Sequence, residues 1–443
     1  MEKTPRYREI WSISYPIILA LVAQNVINVT DTAFLGRLGE VELGASAIAG
    51  LFYISLFMLG YGFATGTQIL VARRFGEKRK SEIGTIVDHG FYFLFALAIF
   101  LFFVIRLLSP AFMERFIASE AIRHASLEFL RYRIWGIFFA FINVLIRAFY
   151  IGITDTKYLT MNAVLMAVVN VILGYALIFG NFGMPKMGIA GAGLASVIAE
   201  ASAALFFLIL TFRKKYISTY NIFRFPKPDL GIIRKTLSIS IYIMAQFFIS
   251  LGGWFVFFII IEKMGERSLA ISNIIRSAYM VMMLPVWALG STASSLVSQA
   301  IGAGKHDFVI PIITKVCKLS VSIVAFVVLI SLGFPKQIIS IYTNDASLIQ
   351  HTIPSLYVIM GALLLFSLMQ VMFSGVSGTA NTNVAMGIEI ATITIYLFFT
   401  WLIAVRLTQP IEIVWCAEYI YFMSLGTLSF FYLRFGNWRK KVI

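Results

Sequence analysis

Long apolar runs alternate with short polar breaks along the whole chain. A run of about 20 apolar residues is the length that crosses a bilayer as a helix. Windows of that kind centre near residues 25, 58, 95, 140, 168, 200, 250, 282, 322, 365, 395 and 423, which predicts about twelve spans, six in each half. The pattern is also duplicated. Leu38-Gly39-Glu40 returns as Met264-Gly265-Glu266, and Gly76-Glu77-Lys78-Arg79 returns as Gly302-Ala303-Gly304-Lys305. Between these anchors Leu43 answers Leu269, Ser46 answers Ser272 and Val71 answers Val297. A second echo pairs Gly152, Thr154 and Thr156 with Gly375, Ser377 and Thr379. Duplicated membrane halves suit a transporter, because a site between two similar bundles can be opened to either side by moving one against the other.

Composition agrees with a bilayer protein: 60% of the residues are hydrophobic and the mean hydropathy is +0.88, well above a soluble chain. The first apolar stretch is long, carries polar residues and follows Lys3, Arg6 and Arg8, so it reads as a retained span instead of a cleaved signal. An even span count puts both ends on one side. Arg73, Arg74, Lys78, Arg79 and Lys80 fall on that side, with Arg213, Lys214, Lys215, Arg224, Lys227, Arg234 and Lys235, and the tail residues Arg434, Arg439, Lys440 and Lys441. By the positive-inside rule both termini are cytoplasmic, in the plasma membrane. The domain division is then residues 1–213, a cytoplasmic linker over 214–234, and residues 235–443. The net charge of +15 sits at span ends, which points to anionic lipid headgroups and away from nucleic acid.

Chemistry is sparse. No GxxxxGK[ST] loop occurs, and no metal-ligand cluster or nucleophile constellation appears, so neither an ATP-driven pump nor a membrane-embedded enzyme is indicated. No cofactor is implied. Cys317 and Cys416 lie in separate apolar spans and read as packing residues. Pro16 and Pro285 lie within spans, where a missing backbone donor bends a helix as a kink or a hinge.

An ion gradient needs an ionisable group inside the membrane, where an unpaired carboxylate is costly. Asp31 is the leading candidate, in the outer half of span one, with Gln24 and Asn28 on the same helix face at intervals of four and three. Neither position that aligns with it in the second half is acidic, so the ion site belongs to the first half. Glu200 in span six is a candidate partner in that network. Glu418 in span twelve, also preceded by alanine, looks like its counterpart, and Glu389 lies in span eleven; for both, structural and functional roles stay open. Arg147 and Arg276 lie in apolar stretches and could snorkel or pair with these acids. Tyr279, Met280, Met282, Met283 and Trp287 cluster in span eight, where a cavity for greasy cations would use aromatic faces and adaptable methionines.

These residues resemble the multidrug and toxic compound extrusion (MATE) family over nearly the whole chain. The likeness is carried by Pro16, by Asp31-Thr32 followed by Gly36-Arg37-Leu38-Gly39, by the turn from Gly152 to Asp155-Thr156-Lys157, and by the glycine-alanine run from Gly188 to Ser196. It implies an all-α integral membrane protein of twelve transmembrane helices in two pseudo-symmetric six-helix bundles forming a V. It also implies export of cationic or amphipathic small molecules by alternating access, in exchange for H+ or Na+, by a single chain. The family's first-half ion site falls on Asp31, Asn170 and Ser196, with Na+ a possible occupant at Asp31. Gly174 stands where some members have a second aspartate. Ser250, with Gln246 one turn before, stands where others carry an acid, and no second-half ion site is implied. The candidate substrate contacts are Gln246 and, from the span-eight cluster, Tyr279, Met283 and Trp287. The alternative is a lipid-linked saccharide flippase of the related exporter superfamily, which would need more basic residues within the spans.

Overall fold

The computed structural model describes residues 3–213 and 216–440. Lys214, Lys215 and Lys441, counted above among the basic clusters, lie outside the described residues, as does the side chain of Lys440. Every regular element among the described residues is helical. Among the described residues, eleven helices are long and apolar enough to cross a membrane, or twelve if the one bent helix pair is counted as a single span.

The first half runs through α1 (Tyr7–Leu38), α2 (Glu40–Gly76), α3 (Lys80–Phe116), α4 (Glu120–Arg133), α5 (Gly136–Gly152), α6 (Lys157–Phe179) and α7 (Ile189–Arg213). A short α8 (Tyr216–Tyr220) follows. The second half comprises α9 (Leu230–Glu262), α10 (Glu266–Gly302), α11 (Val309–Gly333), α12 (Pro335–Ser340), α13 (Ala346–Gly378), α14 (Thr382–Trp401), α15 (Ile411–Val414) and α16 (Ala417–Phe435). The bent pair is α4 with α5, which meet at 54°.

The duplication seen in the sequence is a duplication of local structure with a fixed displacement of 226 positions. Helices α2 and α10 are both 37 residues long. Each starts after its anchor glycine, with Glu40 or Glu266 in the first turn, where a negative charge favours the helix dipole. Each ends in the same way: Lys78 (φ 62°) and Gly304 (φ 70°) turn left-handed, and the next amide closes on the helix, Arg79 N to Arg74 O at 3.0 Å and Lys305 N to Ala300 O at 2.9 Å. The second echo is displaced by three residues from its structural match. Gly152 rests against Val71 and the carbonyl of Gln68, and Gly378, not Gly375, rests against the backbone of Ser294. The left-handed residues that follow are Thr154 (φ 60°) and Ala380 (φ 65°).

The chain forms two compact units, one of Tyr15–Met244 and one of the chain up to Ser14 together with everything from Ala245 onward. The first boundary lies beside Pro16, the only proline inside α1. The stretch after α8 is held to α3 of its own unit. Asp88 accepts hydrogen bonds from the amides of Phe223 (2.8 Å), Arg224 (3.0 Å) and Phe225 (2.9 Å), and His89 Nε2 accepts from the amide of Asp229 at 2.9 Å. In the other unit, one core gathers Phe257, Tyr279, Met283, Phe366 and Trp415, and a second gathers Leu289, Val297, Val316, Val376 and Trp438.

Candidate functional site

Asp31 lies near the end of α1, within the unit Tyr15–Met244. Its Oδ1 is buried and has no hydrogen-bond partner, and the same is true of Asn170 Oδ1. The Asn170 side chain faces Asp31 and donates through Nδ2 to Ser196 Oγ at 3.3 Å. Helices α1, α6 and α7 thus bring together Asp31, Asn170 and Ser196, with two buried acceptor oxygens that no protein donor satisfies. A buried acceptor left unpaired costs about 1–3 kcal/mol. A proton or a small oxygen-seeking cation is the chemical species that would satisfy such oxygens.

Beside this set lies an ion pair that the sequence does not announce. Arg133, the last residue of α4, gives Nη1 to Glu200 Oε2 at 2.8 Å and Nη2 to Glu200 Oε1 at 2.7 Å. Both side chains are only 14% exposed. The guanidinium carbon stands 4.0 Å from the centroid of the Tyr53 ring on α2, a cation–π contact. Asn143 on α5 donates to the Glu200 carbonyl at 2.9 Å. Arg133 also acts electrostatically on Asp31. Glu200 has both of its oxygens occupied by Arg133, which links it electrostatically to the Asp31 set. Arg133 escapes a reading by hydropathy because it closes the polar run Glu120–Arg133. The available signal is a buried acid at Glu200 in need of a cation, and Gly136 three residues on, where any Cβ would overlap both partners of the pair.

The remaining candidates are dispersed. Gln24 and Asn28 are exposed on α1, and the Asn28 carbonyl accepts from Thr32 Oγ1 at 2.8 Å. In the other unit, Gln246 is half-buried and its carbonyl accepts from Ser250 Oγ at 3.0 Å. Trp287 is 41% exposed, whereas Tyr279 and Met283 belong to the core. Arg276 lies over the Phe258 ring, 4.9 Å from its centroid.

Two further buried carboxyls have hydroxyl partners. Glu389 accepts from Ser250 and Tyr421, and Glu418 accepts from Tyr396 at 3.0 Å and Tyr279 at 3.4 Å. Glu418 is not the counterpart of Glu200. Asn143 touches Glu200 in one half, and its equivalent Met369 packs on Gly426 in the other, so the position that answers Glu200 is Gly426. Among the described residues, no group of three or more His, Cys, Asp or Glu converges as a metal site.

Eleven or twelve apolar helical spans among the described residues, in a duplicated order, with a buried acid among amide and hydroxyl side chains, define a multi-pass membrane transporter. The sequence profile of the MatE family matches residues 16–176 and 242–402, two segments displaced by the same 226 positions, and the chain belongs to that family, whose members are transporters and not enzymes. A relative named probable multidrug resistance protein NorM from Rhizobium meliloti is 26% identical over 382 residues, covering 84% of this chain and 81% of its own. A protein of the same name from Geobacillus kaustophilus is 24% identical over 345 residues, covering 77% and 75%. In fold, the chain matches an outward-facing multidrug resistance MATE family transporter of the MOP superfamily with a TM-score of 0.89, over all of both chains, at 18% identity.

Proposed function

We propose that this protein is a secondary active exporter of cationic or amphipathic small molecules, driven by H+ or Na+ taken up at Asp31. The unsatisfied oxygens of Asp31 and Asn170 carry this reading, with Ser196 beside them. The names of the relatives support multidrug efflux as the substrate class. The flippase reading is not favoured, since the family match is to MatE. We place the protein in the plasma membrane as a single chain with both termini cytoplasmic, and take residues 1–213 and 235–443 as its two transport halves, joined by 214–234. Of the candidate substrate contacts, Gln246 and Trp287 have the accessibility to meet a ligand, and Tyr279 and Met283 would support them from the core.

In this scheme an ion neutralises Asp31 from outside and favours release of a bound cation; its discharge inside restores the negative charge that attracts the next substrate. The ion can shift the equilibrium only by its differential affinity for the two states. One charge crossing 100 mV is worth about 2.3 kcal/mol and one pH unit about 1.4 kcal/mol. Exchange of one proton for one monovalent cation moves no net charge, so the concentration gradient alone drives it. The test is uptake of a fluorescent cation into proteoliposomes under imposed pH or sodium gradients. Asp31→Asn should abolish gradient-driven transport in a folded protein, and wild-type rates in that variant would overturn the assignment.

A further inference from the structure

We propose that Arg133 is a positioning residue that ties the occupancy of Asp31 to the break between α4 and α5. The proposal rests on Asp31 carrying the coupling ion.

The argument starts from charge. The groups that meet here are Arg133 from α4, Glu200 from α7, Asp31 from α1 and the Tyr53 phenol from α2, with the neutral amides of Asn170 and Asn143. With an ion on Asp31, Arg133 and Glu200 balance each other and the site is neutral. With Asp31 bare, two carboxylates face one guanidinium in a poorly hydrated place, where an uncompensated charge is expensive. In this structure Glu200 holds two of the five guanidinium donors in a fork. Emptying Asp31 therefore draws Arg133 toward it at the expense of that fork.

Geometry turns this competition into movement. Arg133 is the final residue of α4, and after Ile134 and Trp135 the chain restarts at Gly136 on an axis bent by 54°. A side chain at 136 would overlap the Arg133 guanidinium and the Glu200 carboxylate, so the pair occupies the space opened by the missing Cβ. The second half is the internal control. Asp345 answers Ser119 as the N-cap, and Ile359 and Ala362 stand 226 positions after Arg133 and Gly136. There α13 runs unbroken from Ala346 to Gly378. The half that has the ion pair is the half that has the break.

Hydrogen exchange of the peptide covering residues 130–140, in full-length protein in nanodiscs, reads the break directly. Emptying Asp31, by removing sodium at alkaline pH, should speed exchange there about tenfold beyond the intrinsic acceleration of amide exchange with pH, and Asp31→Asn should remove that excess. Arg133→Gln should give fast exchange that ignores occupancy and should lose transport. Arg133→Lys keeps the charge without the fork and should retain part of the response, which leaves a readout even where the glutamine variant fails to fold. Exchange at the break that is insensitive to occupancy in wild type, with transport still lost in Asp31→Asn, overturns the role of Arg133 and leaves Asp31 standing. Gradient-driven transport by Asp31→Asn overturns the ion site itself.

Discussion

Tyr421 donates a hydrogen bond of 2.9 Å to Glu389, and the oxygen that receives it also receives one of 2.6 Å from Ser250. The contrast with Glu200, whose partner is a guanidinium, sets different costs for the same substitution. A glutamine keeps an acceptor oxygen for two hydroxyls, so Glu389→Gln should change thermal stability by less than about 1 kcal/mol, whereas Glu389→Ala takes the acceptor from Tyr421, at about 1–3 kcal/mol, and leaves Ser250 with the Gln246 carbonyl alone. Glu200→Gln leaves buried Arg133 without the carboxylate that holds it, and with an ion on Asp31 no opposite charge remains, so it should cost about 3–5 kcal/mol. Unfolding midpoints of the three variants in one lipid mixture give the comparison, and equal losses for the two glutamine variants would contradict it.

Gly378 and Gly387 are one helix apart and should respond to alanine in opposite directions. A Cβ at 378 would meet the carbonyl oxygen of Ser294 at 2.5 Å, a backbone atom that cannot turn aside, so Gly378→Ala should destabilise by about 1–3 kcal/mol. Gly387, in α14, has nothing within 4 Å, and Gly387→Ala should stabilise by about 0.5–1 kcal/mol through helix propensity. The signs of the two melting shifts decide the matter. Gly152→Ala should behave like Gly378→Ala, because the structural repeat makes them the same position.

That repeat also shows what a sequence of this kind reveals. Gly39 with Gly265, and Lys78 with Gly304, were legible because helix ends need particular residues at fixed spacing, and the 37-residue helices between them follow. Asp31, Asn170 and Ser196 were legible as a set through family resemblance, and the fold brings them together. The match of Gly152 to Gly375 was misread by three residues, because small residues recur along this helix end and only the contact with Ser294 distinguishes them. Glu418 was misread as the echo of Glu200 because an Ala-Glu pair is too short to fix register. Arg133 was hidden by its place in a charged run, where nothing in the sequence separates a solvated arginine from one turned inward. Tyr279 and Met283 show the converse: an aromatic and methionine cluster at helical spacing built a core.

Three consecutive amides after α8 gather on one carboxylate, and its removal should free that stretch. Asp88 has no exposed surface and gathers three backbone amides; hydrogen bonds to a charged group are worth about 1.5–3 kcal/mol each. Asp88→Asn keeps one oxygen and turns an NH2 toward at least one of those donors. Hydrogen exchange should accelerate at Phe223, Arg224 and Phe225, with little change in α6, and trypsin should cut more readily after Arg224, whereas the Lys227-Pro228 bond stays resistant. Unchanged exchange at those three amides would show that Tyr92, which donates to the Pro226 carbonyl at 3.0 Å, and the Phe212–Phe223 stack at 4.8 Å hold the segment without Asp88.

Tyr216 in α8 gives the same region a dependence on alkaline pH. Its hydroxyl donates a hydrogen bond to Asp155, and burial first, then that bond and the nearby carboxylate charge, push the phenol well above its ordinary value. Burial and Asp155 push Tyr220 in the same direction. The folded segment therefore keeps its phenolic protons where the released segment would lose them, above about pH 10. In that window the released state binds fewer protons, so stability falls as pH rises. Below it the contribution is fully present. Local release of residues 216–225, followed by limited proteolysis in nanodiscs between pH 8 and 11, should increase steeply above about pH 10 in wild type. Tyr216→Phe should flatten that rise while costing about 1 kcal/mol at neutral pH, the worth of one hydrogen bond. A variant that shows the wild-type rise would mean that another group, not this phenol, is the one losing its proton.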